Sequence, residues 1–148
     1  MVELRQALIS IHPDHAAAIL SGKKTVELRR RVPDLPPGSK LWIYATRPRG
    51  AVVAMATVEQ VVRGTPVQIW RAHGIEANVT RSDFDVYFAG CTSAAAIVLR
   101  ECSKVSDVSL ESLRGLRERF HPPQVITWLA PNESAFLKRS GTLRRSAA

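Results

Sequence analysis

The spacing of apolar side chains along this chain switches repeatedly between the two-residue period of a strand and the wider period of a helix. Leu8-Ile9-Ser10-Ile11 is a short apolar run ending at His12-Pro13, which predicts a strand meeting a helix start. Pro13 suits a first helical turn, where its missing N–H costs nothing, and Asp14 complements the positive end of the helix dipole. Ala16 to Leu20 continue that helix, and Ser21-Gly22 closes it. From Lys24 to Arg31, Val26 and Leu28 alternate with polar residues, the pattern of a half-buried strand. Val26 and Leu28 then enter the core, while Thr25, Glu27, Arg29 and Arg31 share the opposite face, with Lys24 at the entrance. The proline-rich stretch 32–38 is a loop. Lys40 to Thr46 predicts a central strand with Trp42, Tyr44 and Thr46 on one face, followed by the turn Arg47-Pro48-Arg49-Gly50.

Ala51 to Val62 is a long β-type run broken by Gly64. Two short helices follow, Pro66 to Ala72 and Ser82 to Ala89, the second with Ser82 as N-cap and Asp83 and Asp85 in its first turn. Ala94 to Arg100 and Val125 to Leu129 read as strands, Leu110 to Arg119 and Asn132 to Arg139 as helices. Strands mixed with short helices, and no repeating β-α-β period, predict an α+β fold. Five or six strands of this length most economically curl into a small barrel with helices at its side. One domain over residues 1–139 and a basic, disordered tail over 140–148 complete the expectation.

Composition narrows the class. With 148 residues, 45% of them hydrophobic, the chain can build one real core. No apolar run approaches the roughly 18 residues that a membrane span needs. The first residues lack a signal peptide's apolar centre. Cys91 and Cys102, without CxxC spacing, read as reduced structural thiols, so a cytoplasmic protein is expected. The net charge of +8 is unevenly spread: residues 1–64 hold 10 Lys/Arg against 5 Asp/Glu, residues 65–130 hold 7 against 7, and residues 131–148 hold 4 against 1. Positive charge gathered in one half is an electrostatic footprint for a polyanion, although a generic high pI would give the same sum.

Candidate chemistry concentrates in that basic half. One carboxylate, Glu27, stands among Lys24, Arg29 and Arg31. An aromatic pair, Trp42 and Tyr44, lies on the strand after it, either as a base-stacking platform or as core. Arg47 and Arg49 in the following turn are placed to hold phosphates. His12 and His15 sit three apart at a helix start, but no neighbouring carboxylate or cysteine completes a metal site. His12 is better read as a hydrogen-bonding residue at a cleft edge. No Walker loop, dinucleotide fingerprint or nucleophile elbow is present.

The segment Ser10-Ile11-His12-Pro13, followed by Ala18-Ile19-Leu20-Ser21-Gly22-Lys23-Lys24-Thr25-Val26-Glu27-Leu28-Arg29, resembles the signature of the activating signal cointegrator homology (ASCH) family. Gly22, Lys24, Glu27 and Arg29 match its spaced motif position by position. Tyr44-Ala45-Thr46 with Pro48, and Pro122-Pro123-Gln124, resemble further stretches of bacterial members. The resemblance implies a PUA-like β-barrel whose cleft receives RNA or a modified nucleobase, with Lys24, Glu27 and Arg29 in that cleft. An amidohydrolase branch acting on acetylated cytidine uses a threonine where this chain has Glu27, which removes the nucleophile. Other bacterial members carry a lysine after the tyrosine-containing turn and a serine after Pro-Pro-Gln. Here those positions are Gly50 and Val125, leaving Arg49 as the substitute charge.

Two functions from different classes are therefore expected. The first is binding of single-stranded RNA or a modified nucleobase through a basic cleft, in RNA metabolism or in transcriptional or translational regulation. His12, Lys24, Glu27, Arg29, Arg31, Tyr44, Thr46, Arg47, Arg49 and Gln124 would make the contacts, with the arginines on phosphates, Tyr44 stacked on a base and Glu27 accepting from a base amino group. The second is a ribonuclease or nucleobase-modifying hydrolase, in which Lys24 stabilises developing negative charge and Glu27 or Tyr44 acts as acid or base. The expected partners are RNA in preference to DNA and no membrane, for a monomer or weak dimer. No organic cofactor is expected, although a nuclease could use a divalent metal such as Mg²⁺.

Overall fold

The computed structural model describes residues 5–116 and 126–145, with side chains as far as Gly141. In chain order the elements are β1 (Gln6–Ile11), α1 (Pro13–Leu20), β2 (Val26–Arg29), β3 (Lys40–Ala45), β4 (Ala51–Gly64), α2 (Pro66–His73), α3 (Arg81–Tyr87), β5 (Ala94–Ser109), α4 (Leu110–Arg114), β6 (Thr127–Trp128) and α5 (Pro131–Arg145). The α+β class is as the pattern predicts. The strands form one six-stranded mixed sheet in the order β2-β5-β4-β3-β1-β6. β1 runs parallel to β3, and the remaining ladders are antiparallel.

The two-residue period sorts the core into layers. Ala7, Ile9 and Ile11 of β1 join Leu41, Ile43 and Ala45 of β3 in the main core, capped by Ala16 and Ile19 of α1. The opposite face of the same strands, Leu8, Trp42 and Tyr44, packs with Val105, Val108, Leu113 and Leu137. A third cluster sets Val26 and Leu28 of β2 against Ile69 of α2 and Phe84 of α3, with Phe88 and Ala96. The aromatic rings there are in contact: Phe84 lies 5.0 Å from Trp70 and 4.7 Å from Phe88, centroid to centroid.

Among the described residues no backbone ladder joins the marginal strands β2 and β6. The opposite margins still approach each other through a side chain. Arg29, on β2 at one margin, donates from Nη2 to the carbonyl of Ser10 at 2.6 Å, and Ser10 belongs to β1 near the other margin. β6 pairs only with Ala7 and Leu8, so the far end of β1 is left for that contact.

Several boundaries differ from the sequence expectation. The strand predicted over Lys24–Arg31 shrinks to Val26–Arg29, because Thr25 N and Val26 N bond the carbonyl of Glu76 in the α2–α3 loop. The N-cap of α3 is Thr80 and not Ser82: the Thr80 hydroxyl accepts from Asp83 N at 3.0 Å. β5 continues past Arg100 to Ser109, carried through an irregularity at Glu101, whose φ is 51°. α5 runs to Arg145, across residues assigned above to a disordered tail; the absent side chain of Gly141 leaves room for Val105, which a Cβ would meet at 3.0 Å. The Pro-Pro-Gln stretch lies outside the described residues. No helix among the described residues is long and apolar enough to cross a membrane. Cys91 and Cys102 are free thiols, and burial pushes the Cys102 thiol pKa up.

Candidate functional site: the cleft between β2, α1 and α3

The cleft begins with a local consequence of sequence. Gly22, at φ 82°, turns the chain out of α1 in a conformation that glycine adopts without strain. The main chain then doubles back, Lys24 N bonding the carbonyl of Ala18, and enters β2. Lys24 and Glu27 thereby meet on one side. The Lys24 ammonium, 2% exposed, donates to the carbonyl of Ala77 at 2.5 Å and stands 3.4 Å from Glu27 Oε1. The other carboxylate oxygen accepts from Arg29 Nε at 3.1 Å and Nη2 at 2.8 Å. One buried carboxylate is thus clamped between two cations, each held by a main-chain carbonyl on its far side.

Burial holds the Lys24 pKa below the ordinary lysine range; Glu27 opposes that shift and Arg29 adds to it. The arrangement is expensive to assemble and expensive to break, because Lys24 and Glu27 are out of water and depend on each other and on Arg29.

These residues form the floor of a cleft of about 370 Å³, lined also by His12, His15, Leu28, Val79, Asp83, Phe84 and Tyr87. Leu28, Val79, Phe84 and Tyr87 supply apolar walls, and polar groups converge between them, the usual composition of a small-molecule or base site. His12 is both a cleft residue and the cap of α1, its Nδ1 accepting from Asp14 N at 3.2 Å. The His15 ring lies 6.2 Å from that of His12. Arg30 braces the outer wall: its guanidinium lies 4.2 Å over the Tyr87 ring and donates to the Tyr87 carbonyl from Nε and Nη2.

Among the lining residues Lys24 and Arg29 are matched in number by Glu27 and Asp83. Arg31 is exposed beyond the end of β2, and Arg47 is exposed in the turn after β3.

The structure brings together His12, Lys24, Glu27 and Arg29 but not the rest of the expected set. Tyr44 is 1% exposed, enclosed with Trp42 in the second core layer, and has no face for a base. Trp42 donates its indole N–H to Gln6 Oε1 at 2.8 Å. Burial raises the Tyr44 pKa against Arg47 and Arg114, so the phenol stays protonated at neutral pH. Thr46 is half-buried at the exit of β3. Arg49 is paired with Asp107 at 2.7 Å. Gly50, at φ 59°, would place a Cβ only 3.7 Å from the Tyr44 hydroxyl, so a side chain at this position would meet that phenol. Gln124 lies outside the described residues.

His15, Asp83, Phe84 and Tyr87 were not singled out as cleft residues from sequence. His15 follows His12 by one helical turn, a signal that could have placed it at the same opening. The α3 residues carry no such signal, since only the packing of α2 and α3 over β2 brings them near the motif. Among the described residues no group of three or more His, Cys, Asp or Glu side chains could hold a metal ion.

Residues 9–119 match the ASCH domain family. The chain belongs to that family. An ASCH domain-containing ribonuclease from Zymomonas mobilis subsp. mobilis is 40% identical over 130 residues, covering 88% of each protein. A crystal structure of ASCH from Zymomonas mobilis superimposes with a TM-score of 0.88 at 39% identity, covering 91% of this chain and 94% of that one. The N-terminal domain of Staphylothermus marinus McrB shares the fold alone, with a TM-score of 0.59 at 11% identity.

Burial in this ASCH protein makes a pH prediction at the cleft rim. Desolvation first, and the Lys24 charge second, hold the His15 pKa below its ordinary 6.5. As pH falls below that value the unfolded chain binds the proton before the folded one, so stability falls with it. The drop in Tm between pH 7.5 and pH 5.5 is expected to be smaller in His15→Asn than in wild type. Equal drops would show that His15 contributes nothing to the slope.

Proposed function

We propose that this ASCH protein binds single-stranded RNA, taking one unstacked base into the cleft between β2, α1 and α3 while the backbone passes outside it. The observation that carries the reading is the clamped Lys24–Glu27–Arg29 floor beneath apolar walls. A charge-balanced, hydrogen-bonding slot suits the edge of a planar neutral base better than a phosphate. Single-stranded RNA can offer such a base because its bases are free to splay out. Similarity to a protein named as a ribonuclease supports RNA as the partner. A small PUA-like barrel around the cleft, preference for RNA over DNA, and a role in RNA metabolism or its regulation belong to the same reading.

Phosphate contacts then fall to the exposed Arg31 and Arg47, each without an ion pair among the described residues. Arg49 can join them only by giving up Asp107, an exposed pairing worth at most about 1 kcal/mol. Two contacts on a single strand, at about 0.7 each, predict a log–log salt slope of about −1.4. Fluorescence anisotropy of a labelled RNA between 50 and 200 mM salt (roughly the range over which such slopes are read) measures it. Removing both arginines is expected to bring the slope near zero, and an unchanged slope would refute their role.

The second reading is RNA cleavage, favoured by the same named relative. It assigns the chemistry to the cleft floor, with Lys24 stabilising developing negative charge and Glu27 acting as acid or base. Denaturing gels of the same labelled RNA, run with and without Mg²⁺, decide it: intact RNA at saturating protein supports binding alone, and fragments that disappear in Lys24→Met support cleavage.

A further inference from the structure

The cleft's hydrogen-bonding groups are not interchangeable, and the unused ones define the base they can read. Both Glu27 oxygens are occupied, one by Lys24 and the other by Arg29. Arg29 spends Nε and Nη2 on Glu27 and Ser10, which leaves Nη1 without a partner among the described residues. Asp83 lines the same cleft and has no ion pair among the described residues. The nearest cation in sequence, Arg81, is committed to Asp85 at 2.9 Å and lies over the Trp70 ring. An exposed acidic residue therefore lines the same cleft as an arginine with donor capacity to spare.

We propose that the cleft selects guanine, with Asp83 as its specificity-determining residue. The inference rests on the RNA-binding reading above. Guanine offers two adjacent N–H donors, N1 and the 2-amino group, on its Watson–Crick edge, and a carboxylate accepts both at once. Its O6 and N7 acceptors take paired donors of the arginine or lysine type. Uracil has a single ring N–H flanked by two carbonyl oxygens, which would face the Asp83 carboxylate with like partial charge. Cytosine and adenine each offer a single amino group and no adjacent ring N–H. The apolar walls Leu28, Val79, Phe84 and Tyr87 leave polar recognition to the edges, where an unmatched buried group is costly.

The test is anisotropy binding of the full chain to three labelled nonamers: all uridine, uridine with a central guanosine, and uridine with a central inosine. Guanosine is expected to bind about tenfold tighter than uridine, within the range of one good bidentate base contact. Inosine, which lacks the 2-amino group, is expected to fall between them. In Asp83→Asn the guanosine-to-uridine ratio is expected to drop below about twofold, the amide offering a donor as well as an acceptor. The inosine arm reads the same contact from the RNA side and needs no folded variant. Equal affinity for guanosine and uridine would overturn the guanine assignment while leaving RNA binding intact. A preference that survives in Asp83→Asn would overturn the role of Asp83. Failure of the wild type to bind any of the three would instead refute the RNA reading, and this inference with it.

Discussion

Glu27→Ala is expected to lose about 3–5 kcal/mol of folding stability, the typical penalty for stranding a buried charge. The Glu27 side chain is 9% exposed, and its removal leaves Lys24, 2% exposed, facing Arg29, 17% exposed, with no anion between them. Burial alone already lowers the Lys24 pKa, so the variant relieves part of its strain by releasing the lysine proton or by opening the Ala77 contact to water. Glu27→Gln keeps the shape and one acceptor oxygen and is expected to lose less. Chemical denaturation of both variants at pH 7 measures the difference. A loss below about 1 kcal/mol for Glu27→Ala would mean that water already reaches the triad and that it behaves as a surface pair. The same logic qualifies Lys24→Ala as a probe of chemistry. Lys24 ties the α2–α3 loop to β2, so activity lost in that variant could follow from structure alone, and Lys24→Met is the better comparison.

Phe84→Ala is the second large effect. Phe84 is 3% exposed, touches Trp70 and Phe88, packs on Val26 and Leu28, and forms part of the cleft wall. Truncating a buried phenylalanine costs about 3–5 kcal/mol, the lost transfer energy plus the cavity left behind. Here the loss falls on the third cluster, apart from the main core under α1. RNA affinity is therefore expected to fall at least tenfold before the sheet melts. Hydrogen exchange would show α3 amides losing protection while those of β3 and β4 keep theirs. Uniform loss of protection across both would refute a separable cleft wall.

The motif residues were legible because strand and helix periods act locally. Gly22 needs a positive φ, Pro13 needs a helix start, and the alternation along β2 puts Glu27 and Arg29 on one side whatever the rest of the chain does. Tyr44 shows where this reasoning stops. Alternation correctly placed it with Trp42 opposite Leu41 and Ile43, but period alone cannot say whether that second face meets water or another layer. The face is covered by Val105 and Val108 of β5 and by Leu137 of α5, residues far along the chain, and the expected stacking platform is core. Arg49 was read as a free cation for the same reason. Asp107, its partner, is 58 residues away and becomes a neighbour only through the pairing of β4 with β5.

The cleft divides in the same way. Sequence by itself determined the α+β class, the glycine turn after α1, and the shared side of Glu27 and Arg29, because each depends on contacts a few residues apart. Tertiary structure alone decided that Lys24 and Glu27 would be buried and that Asp83 would line the same cleft. Those outcomes follow from α2 and α3 folding over β2, and from Ala77 and Ser10 lending carbonyls to Lys24 and Arg29. Main-chain carbonyls belong to every residue type, so nothing in the order of side chains marks which of them a distant cation will find.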